Sequence, residues 1–332
     1  MTLGTTTSAP PAAAAVAWRG LRGELATYLG LTGVLVAMVA LFGALSQHFL
    51  SVDTFVTIAN EIPALAVMAV GMTFVLIIAG IDLSVGSVLA LSAALSATAI
   101  VQWQWPAGAA AALGLAAGAV CGSVTGAVSV AWRLPSFIVS LGMLEVVRGA
   151  AYLVTESRTQ YVGDAIGGLA QPWVGGISAA FVLAIALVAL GQLVLSRTVF
   201  GRCVVGIGTN EEAMRLAGVD PRPVRIAVFA LTGLLAGLAG LMQAARLEAA
   251  DPNAGQGMEL RVIAAVVIGG TSLMGGRGSV VNTFFGVLII AVLEAGLAQV
   301  GASEPSKRII TGCVIVVAVV FDTVRQRRAA GG

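Results

Sequence analysis

Apolar residues along this chain come in long, nearly unbroken runs, not in the narrow stripes of a water-soluble amphipathic helix. A hydrocarbon layer about 30 Å thick needs roughly 20 apolar residues when each rises about 1.5 Å in an α-helix. Runs near that length fall at 27–46, 55–79, 84–102, 107–131, 136–154, 177–196, 225–246, 259–274, 279–300 and 308–323. The pattern predicts an all-α polytopic membrane protein of about ten transmembrane helices, some broken or re-entrant. Two runs are weaker: 136–154 carries Glu145 and Arg148, and 259–274 is short and ends in glycines. These two are the candidates for broken or re-entrant helices. Residues 1–26, rich in Thr, Ala and Pro, are expected to form a disordered tail. Trp18, Arg19 and Arg22 follow its Ala-rich run, the reverse of the order in a cleavable signal peptide. The membrane domain is expected over 27–323, enclosing a polar loop at 197–225, and a short tail over 324–332.

Arginine and lysine give the orientation, because they concentrate on the cytoplasmic side of membrane proteins. With both termini cytoplasmic, 12 of the 18 basic residues fall on that side, Arg133, Arg197, Arg202, Arg215, Arg222, Arg225 and Arg277 among them. Trp103, Trp105 and Trp173 then sit at the outer interface, where an aromatic belt is expected.

Composition fits this picture and narrows the chemistry. The chain is 58% hydrophobic and 10% charged, against about 25% charged in a soluble domain. A net charge of +2 is too small and too scattered for a nucleic-acid partner. Cys121, Cys203 and Cys313 lie far apart and His48 is alone, so neither a metal site nor a disulfide framework is indicated. No Ser-His-Asp arrangement or carboxylate cluster can be assembled, so no catalytic residue is assigned. The lone lysine, Lys307, follows a serine, whereas a P-loop needs lysine after its final glycine.

The polar loop "RTVFGRCVVGIGTNEEAMRLAGVDPRPVR" (197–225) has internal order. Gly208 and Asn210 mark a helix start, and Glu211 and Glu212 suit the positive end of a helix dipole. Ala213, Met214, Leu216 and Ala217 give a small apolar face, Gly218 a stop, and Pro221 and Pro223 bar continuation. The reading is a short amphipathic helix at 208–218 on the inner surface.

Elsewhere, polar groups interrupt the runs. In "GIDLSVGS" (80–87), Gly80 and Gly86 allow a sharp break, and Asp82, Ser84 and Ser87 are able to cap the helix that follows. A charge at mid-bilayer costs about 2.5–3.5 kcal/mol. Asp82 therefore either organises a broken helix beside a transport path or caps a plain loop at the interface. Asn60 and Glu61 precede Pro63 near the outer face, either as a water-facing helix start or as part of a substrate route. Glu145 and Arg148, three residues apart on one helix face, are expected to neutralise each other. Glu294 should face protein or a cavity. "AGIDLSVGSV" (79–88) and "GGTSLMGGRGSV" (269–280) look faintly alike, and each follows an apolar run.

"GIGTNEEAMRLAGVD" resembles the EAA-type coupling loop of ABC importer permeases, matching at Gly208, Asn210, Ala213, Ala217 and Gly218. "GIDLSVGSVLAL", "LPSFIVSLGMLEVVRGAAYLVT", "VFALTGLLAGLAGLMQAAR" and "VIAAVVIGGTSLMGGRGSVVNTFFGVLI" are similar to the ribose/xylose/arabinose branch, in the same order, over roughly 55–322. "EPSKRII" (304–310) is more charged than the family's usual stretch. The resemblance implies the membrane-spanning subunit of a monosaccharide importer in the cytoplasmic membrane of a bacterium, working by alternating access. It implies a second permease subunit, identical or related, and a periplasmic or lipid-anchored sugar-binding protein. It also implies a cytoplasmic ABC ATPase, which would bind the ATP and Mg, leaving no cofactor in this chain. Gly208, Asn210, Glu211, Glu212, Ala213, Arg215 and Gly218 would then meet that ATPase. Phe137, Ser140 and Thr155 join Asn60, Glu61, Asp82 and Ser84 as path candidates. The rival readings are an ion-coupled secondary transporter, using Asp82, Glu145 and Glu294, and a family importer for a polyol or a furanose-like signal molecule.

Overall fold

The computed structural model describes residues 12–330, and for 12–27 and 321–330 the backbone alone. All ten apolar runs appear as helices. They are α1 (Ala12–Leu45), α2 (Val52–Glu61) with α3 (Pro63–Ile77), α4 (Val85–Val101), α5 (Ala107–Ala131), α6 (Ser136–Val154), α7 (Ala179–Arg197), α10 (Pro221–Leu247), α11 (Met258–Ile268), α12 (Val280–Gln299) and α13 (Glu304–Ala330). Between α7 and α10 lie α8 (Val199–Thr209) and α9 (Glu211–Leu216). Among the described residues six helices are long and apolar enough to cross a membrane, and a seventh when α2 and α3 are taken as one span bent by 48°.

The bend and the lengths have local causes. Pro63 opens α3 without an N–H of its own, so the chain changes direction at Ile62 with little lost hydrogen bonding. The break expected in 136–154 is not there: α6 is one continuous helix of 19 residues. The other suspect, α11, is short, with 11 residues, about 16 Å, and gives way to Gly269 and the left-handed Gly270. The expected tail boundary at residue 26 falls inside α1, which is helical from Ala12 because an alanine run has the strongest helix propensity; residues 1–11 lie outside the described residues. Similarly α13 continues to Ala330, past the boundary expected at 324.

Burial sorts the helices into a centre and a rim. All fifteen residues of α3 are buried, and α4 is nearly as enclosed. Around them α1, α5, α6 and α7 are apolar yet mostly uncovered, as expected of helices solvated by lipid tails. In lipid, packing and hydrogen bonds hold helices together, so small residues gather where backbones touch. Gly118, Gly122 and Gly126 line one face of α5 against α10, and Gly114 sits against Ser92 and Ser96 of α4. A Cβ on Gly118 would strike the Gly233 carbonyl, and one on Gly122 the Phe229 carbonyl. Polar side chains in the apolar runs are similarly spoken for. Thr73 and Thr283 join α3 to α12 (2.9 Å), and Gln192 of α7 accepts the Val280 N–H (2.9 Å) at the start of α12.

One end of the bundle is covered by small β elements. Strand β1 (Gln160–Tyr161) pairs antiparallel with β4 (Ala249–Ala250), and β2 (Pro172–Val174) with β3 (Ile177–Ser178). Trp103, Trp105 and Trp173 are exposed at this end, in keeping with an interfacial belt. The opposite end carries α8, α9 and the turn between α5 and α6.

Candidate functional site

A cleft of about 410 Å³ opens at the β-covered end. Its floor is apolar: Ile62, Pro63 and Leu65 from the α2–α3 bend, Met242 from α10, Met258 from α11 and Ala291 from α12. Two ion pairs cross it. Glu61 Oε1 meets Arg246 at 3.2 Å, and Arg261 meets Glu294 at 3.3 Å. These side chains are 35–53% exposed, so each pair contributes about 0–1 kcal/mol, a latch weak enough to open. Asn60 lines the same cleft and fixes its rim, donating to the Gly176 carbonyl (2.9 Å) and accepting from the Ser178 N–H (2.8 Å).

The other path candidates lie elsewhere. Asp82 and Ser84 are 1% exposed, in the irregular stretch between α3 and α4. Asp82 Oδ1 accepts from the Ser84 N–H (2.9 Å) and hydroxyl (2.6 Å). The expected cap of the next helix is therefore absent: Ser84 stands at the N-cap without capping, because the carboxylate turns back on Ser84 itself. Ser136 and Ser140 at the start of α6 hold this stretch, accepting from the Ile81 N–H (2.9 Å) and the Leu83 N–H (3.0 Å). Thr155 is fully buried and bonds back to the Ala151 carbonyl at 2.9 Å. Phe137 is exposed on α6 and lines neither of the cavities described here.

The expected pairing of Glu145 with Arg148 does not form. Glu145 is exposed, whereas Arg148 is buried and its Nη1 donates to the Pro252 and Ala254 carbonyls, both at 2.7 Å. Segment 251–257 packs so close to the first turn of α4 that a Cβ on Gly86 would strike the Gly255 carbonyl. Its carbonyls need donors there, and Arg148 supplies them. Tyr152 adds a hydrogen bond to Asn253 Oδ1 (2.6 Å).

The opposite end holds the expected surface helix, in a shorter form. Asn210 caps α9, accepting from the Ala213 N–H at 2.9 Å, and Gly218 ends the turn that follows with φ +84°. Gly208 closes α8 instead of opening α9. It sits against the Ile77 carbonyl, which accepts from the Gly276 N–H (2.8 Å), so no side chain fits there. The two glycine-rich stretches that look alike in sequence thus meet beside it. Glu211 pairs with Arg225 of α10 at 2.6 Å, and Glu212 pairs loosely with Arg215 at 3.8 Å.

Sequence reasoning missed Arg246 and Arg261 as cleft residues. An arginine within or just at the end of an apolar run was the available signal. Glu294 faces the cavity as expected. Ser136 and helix α8 were also missed.

The family model described as "Branched-chain amino acid transport system / permease component" matches residues 54–319. The ribose import permease protein RbsC of Escherichia coli K12 is 39% identical over 299 residues, covering 88% of this chain and 92% of the relative. The fructose import permease protein FrcC of Rhizobium meliloti is 34% identical, covering 90% and 85%. The L-arabinose ABC transporter permease protein AraH of Azospirillum brasilense is 33% identical, covering 97% and 96%. No solved structure matches. With four-fifths of its length inside the family model and whole-length similarity to these permeases, the chain belongs to this family of multi-pass transport permease components.

Proposed function

We propose that this chain is the membrane-spanning subunit of an ATP-driven importer for a monosaccharide, a pentose or a related sugar. Two permease subunits frame the path in the cytoplasmic membrane of a bacterium, with both termini cytoplasmic. A separate ATPase holds ATP and Mg and docks under α9, and a periplasmic or lipid-anchored binding protein delivers sugar at the cleft end.

One observation carries the reading: α3 and α10 each have one end in the cleft and the other at the α9 junction. Pro63 and Leu65 of α3 line the cleft, while Ile77 touches the Gly208 and Gly276 backbone. Arg246 of α10 reaches across the cleft, while Arg225 holds Glu211 of α9. These helices are about 22 and 40 Å long, so a push on α9 has two stiff routes to the latch. Packed helices shift as bodies, and such shifts open or close clefts.

The cargo assignment follows the relatives, named for ribose, fructose and arabinose, over the amino acids in the family model's description. The cleft chemistry agrees. Its carboxylates and guanidiniums already neutralise each other, so a neutral polyhydroxyl solute exchanges hydrogen bonds with them. A zwitterion would have to break both pairs.

The test is uptake into proteoliposomes holding the chain, its ATPase and its binding protein, with labelled ribose, arabinose, fructose and leucine offered in turn. ATP-dependent uptake of one sugar, and none without the ATPase, is the expected result. Uptake by this chain alone under an ion gradient would overturn it in favour of a secondary transporter. A polyol or furanose-like solute that outcompetes every sugar would change the cargo and leave the mechanism.

A further inference from the structure

We infer that a second cavity, at the α9 end, is a binding site for the phosphate of an anionic phospholipid. The cavity measures about 310 Å³ and lies between the α5–α6 turn, α9 and the start of α10. Four arginines line it, Arg133, Arg215, Arg222 and Arg225, against one acid, Glu211. Arg225 and Arg215 have the carboxylate partners already described, but Arg133 and Arg222 are in no ion pair among the described residues. Asp220 lies near Arg222, with its Oδ1 engaged by the Arg222 N–H at the head of α10 (3.0 Å).

A further sign is the Nε of Arg225. It is buried and has no hydrogen-bond partner among the described residues, although the same guanidinium gives Nη2 to Glu211. A donor left open costs free energy, and the part of this guanidinium that lines the cavity is available to a phosphate oxygen. Arginine suits the task because its planar fork holds phosphate through paired hydrogen bonds.

The surroundings choose the source of that phosphate. Trp132 (69% exposed) and Leu134 (44% exposed) flank Arg133. They continue onto Phe137 and Ile138 of α6, which are also exposed, and an uncovered apolar surface of this kind suits lipid tails. A free phosphate has no use for such a rim, whereas a lipid lays its chains along it with its headgroup among the arginines. Basic pockets between helices on the cytoplasmic side bind lipid headgroups in this way.

The experiment uses the purified chain with its ATPase in nanodiscs, and native mass spectrometry after release into detergent. Probes are phosphatidylglycerol, phosphatidylcholine and inorganic phosphate. Preferential retention of phosphatidylglycerol is expected, falling about fivefold for each of Arg133→Gln and Arg222→Gln. It should fall less in Arg133→Lys, which keeps the charge and loses the fork, and remain in Arg158→Gln, which removes an exposed charge outside this cavity. Neither glutamine variant disturbs an ion pair, and an unchanged elution volume checks that both are folded. Equal retention of phosphatidylcholine, or retention that both glutamine variants keep, overturns the site. Displacement by inorganic phosphate at equal concentration overturns the lipid as its source. If the variants instead lose the ATPase and keep the lipid, the face belongs to a protein partner and the inference is wrong.

Discussion

Arg148 shows how a single side chain can be recognised as important from sequence and still be given the wrong task. Its neighbour three residues earlier is an acid, and i, i+3 spacing makes a pair the simplest expectation. Yet Glu145 is exposed, and the guanidinium is spent on two backbone carbonyls from a segment over a hundred residues away. Hydrogen bonds from a charged donor contribute about 1.5–3 kcal/mol when buried. Arg148→Met should therefore lower stability by about 2–3 kcal/mol, because the Pro252 and Ala254 carbonyls lose their donor. Glu145→Gln should stay within about 0.5 kcal/mol of the parent. Thermal unfolding of both variants in the same detergent checks this, and equal losses would restore the ion pair. The spacing rule identified a helix face correctly, but no sequence pattern reports which distant loop needs a donor. Asp82 makes the same point: the flanking glycines marked a break, but they left open whether it lay inside the bundle or at the interface, and the ties of this stretch to Ser136 and Ser140 were not legible.

Among the elements, hydrophobic run length found every long helix, because a helix that crosses a bilayer needs about 20 apolar residues. What it could not find were features set by contacts. Helix α8 escaped notice because it fell inside a stretch read as loop, and the real break came at Ile62–Pro63 instead of within α6. The glycines of α5 were visible at four-residue spacing, and their meaning comes from the partner they face. Gly122 touches the Phe229 carbonyl, so Gly122→Leu forces α5 and α10 apart. Overpacking of this kind costs about 1–3 kcal/mol and sometimes more. Gly142→Leu on α6 is the matched control, since nothing lies within 4 Å of the added Cβ there. The first variant should lose most of its monodisperse protein on fluorescence-detected size exclusion, and the second very little. Similar losses in both would mean that the glycine face does not hold these helices together.

For the whole molecule, the question is whether the cleft and the α9 end move together. The apolar helices and the α9 motif are local patterns and were legible, whereas only six or seven of the ten expected spans are long and apolar enough to cross, among the described residues. The cleft was not legible, since its lining comes from six helices, α2, α3, α7, α10, α11 and α12, and its second arginine from the short α11. The latch is weak by its exposure, so the free energy that opens it can be small, and a covalent tie should outweigh it easily. Replacing Glu61 and Arg246 by cysteine, after Cys121, Cys203 and Cys313 are changed to serine, permits a short thiol cross-linker to bridge the cleft. The bridged protein should lose sugar uptake, and its ATPase should no longer respond to the binding protein, both returning when a cleavable linker is reduced. The single-cysteine variants treated alike should keep most of their uptake, because breaking one exposed pair costs at most about 1 kcal/mol. If bridging stops uptake while the ATPase still responds fully, the two ends are not mechanically joined. The routes along α3 and α10 would then be only packing.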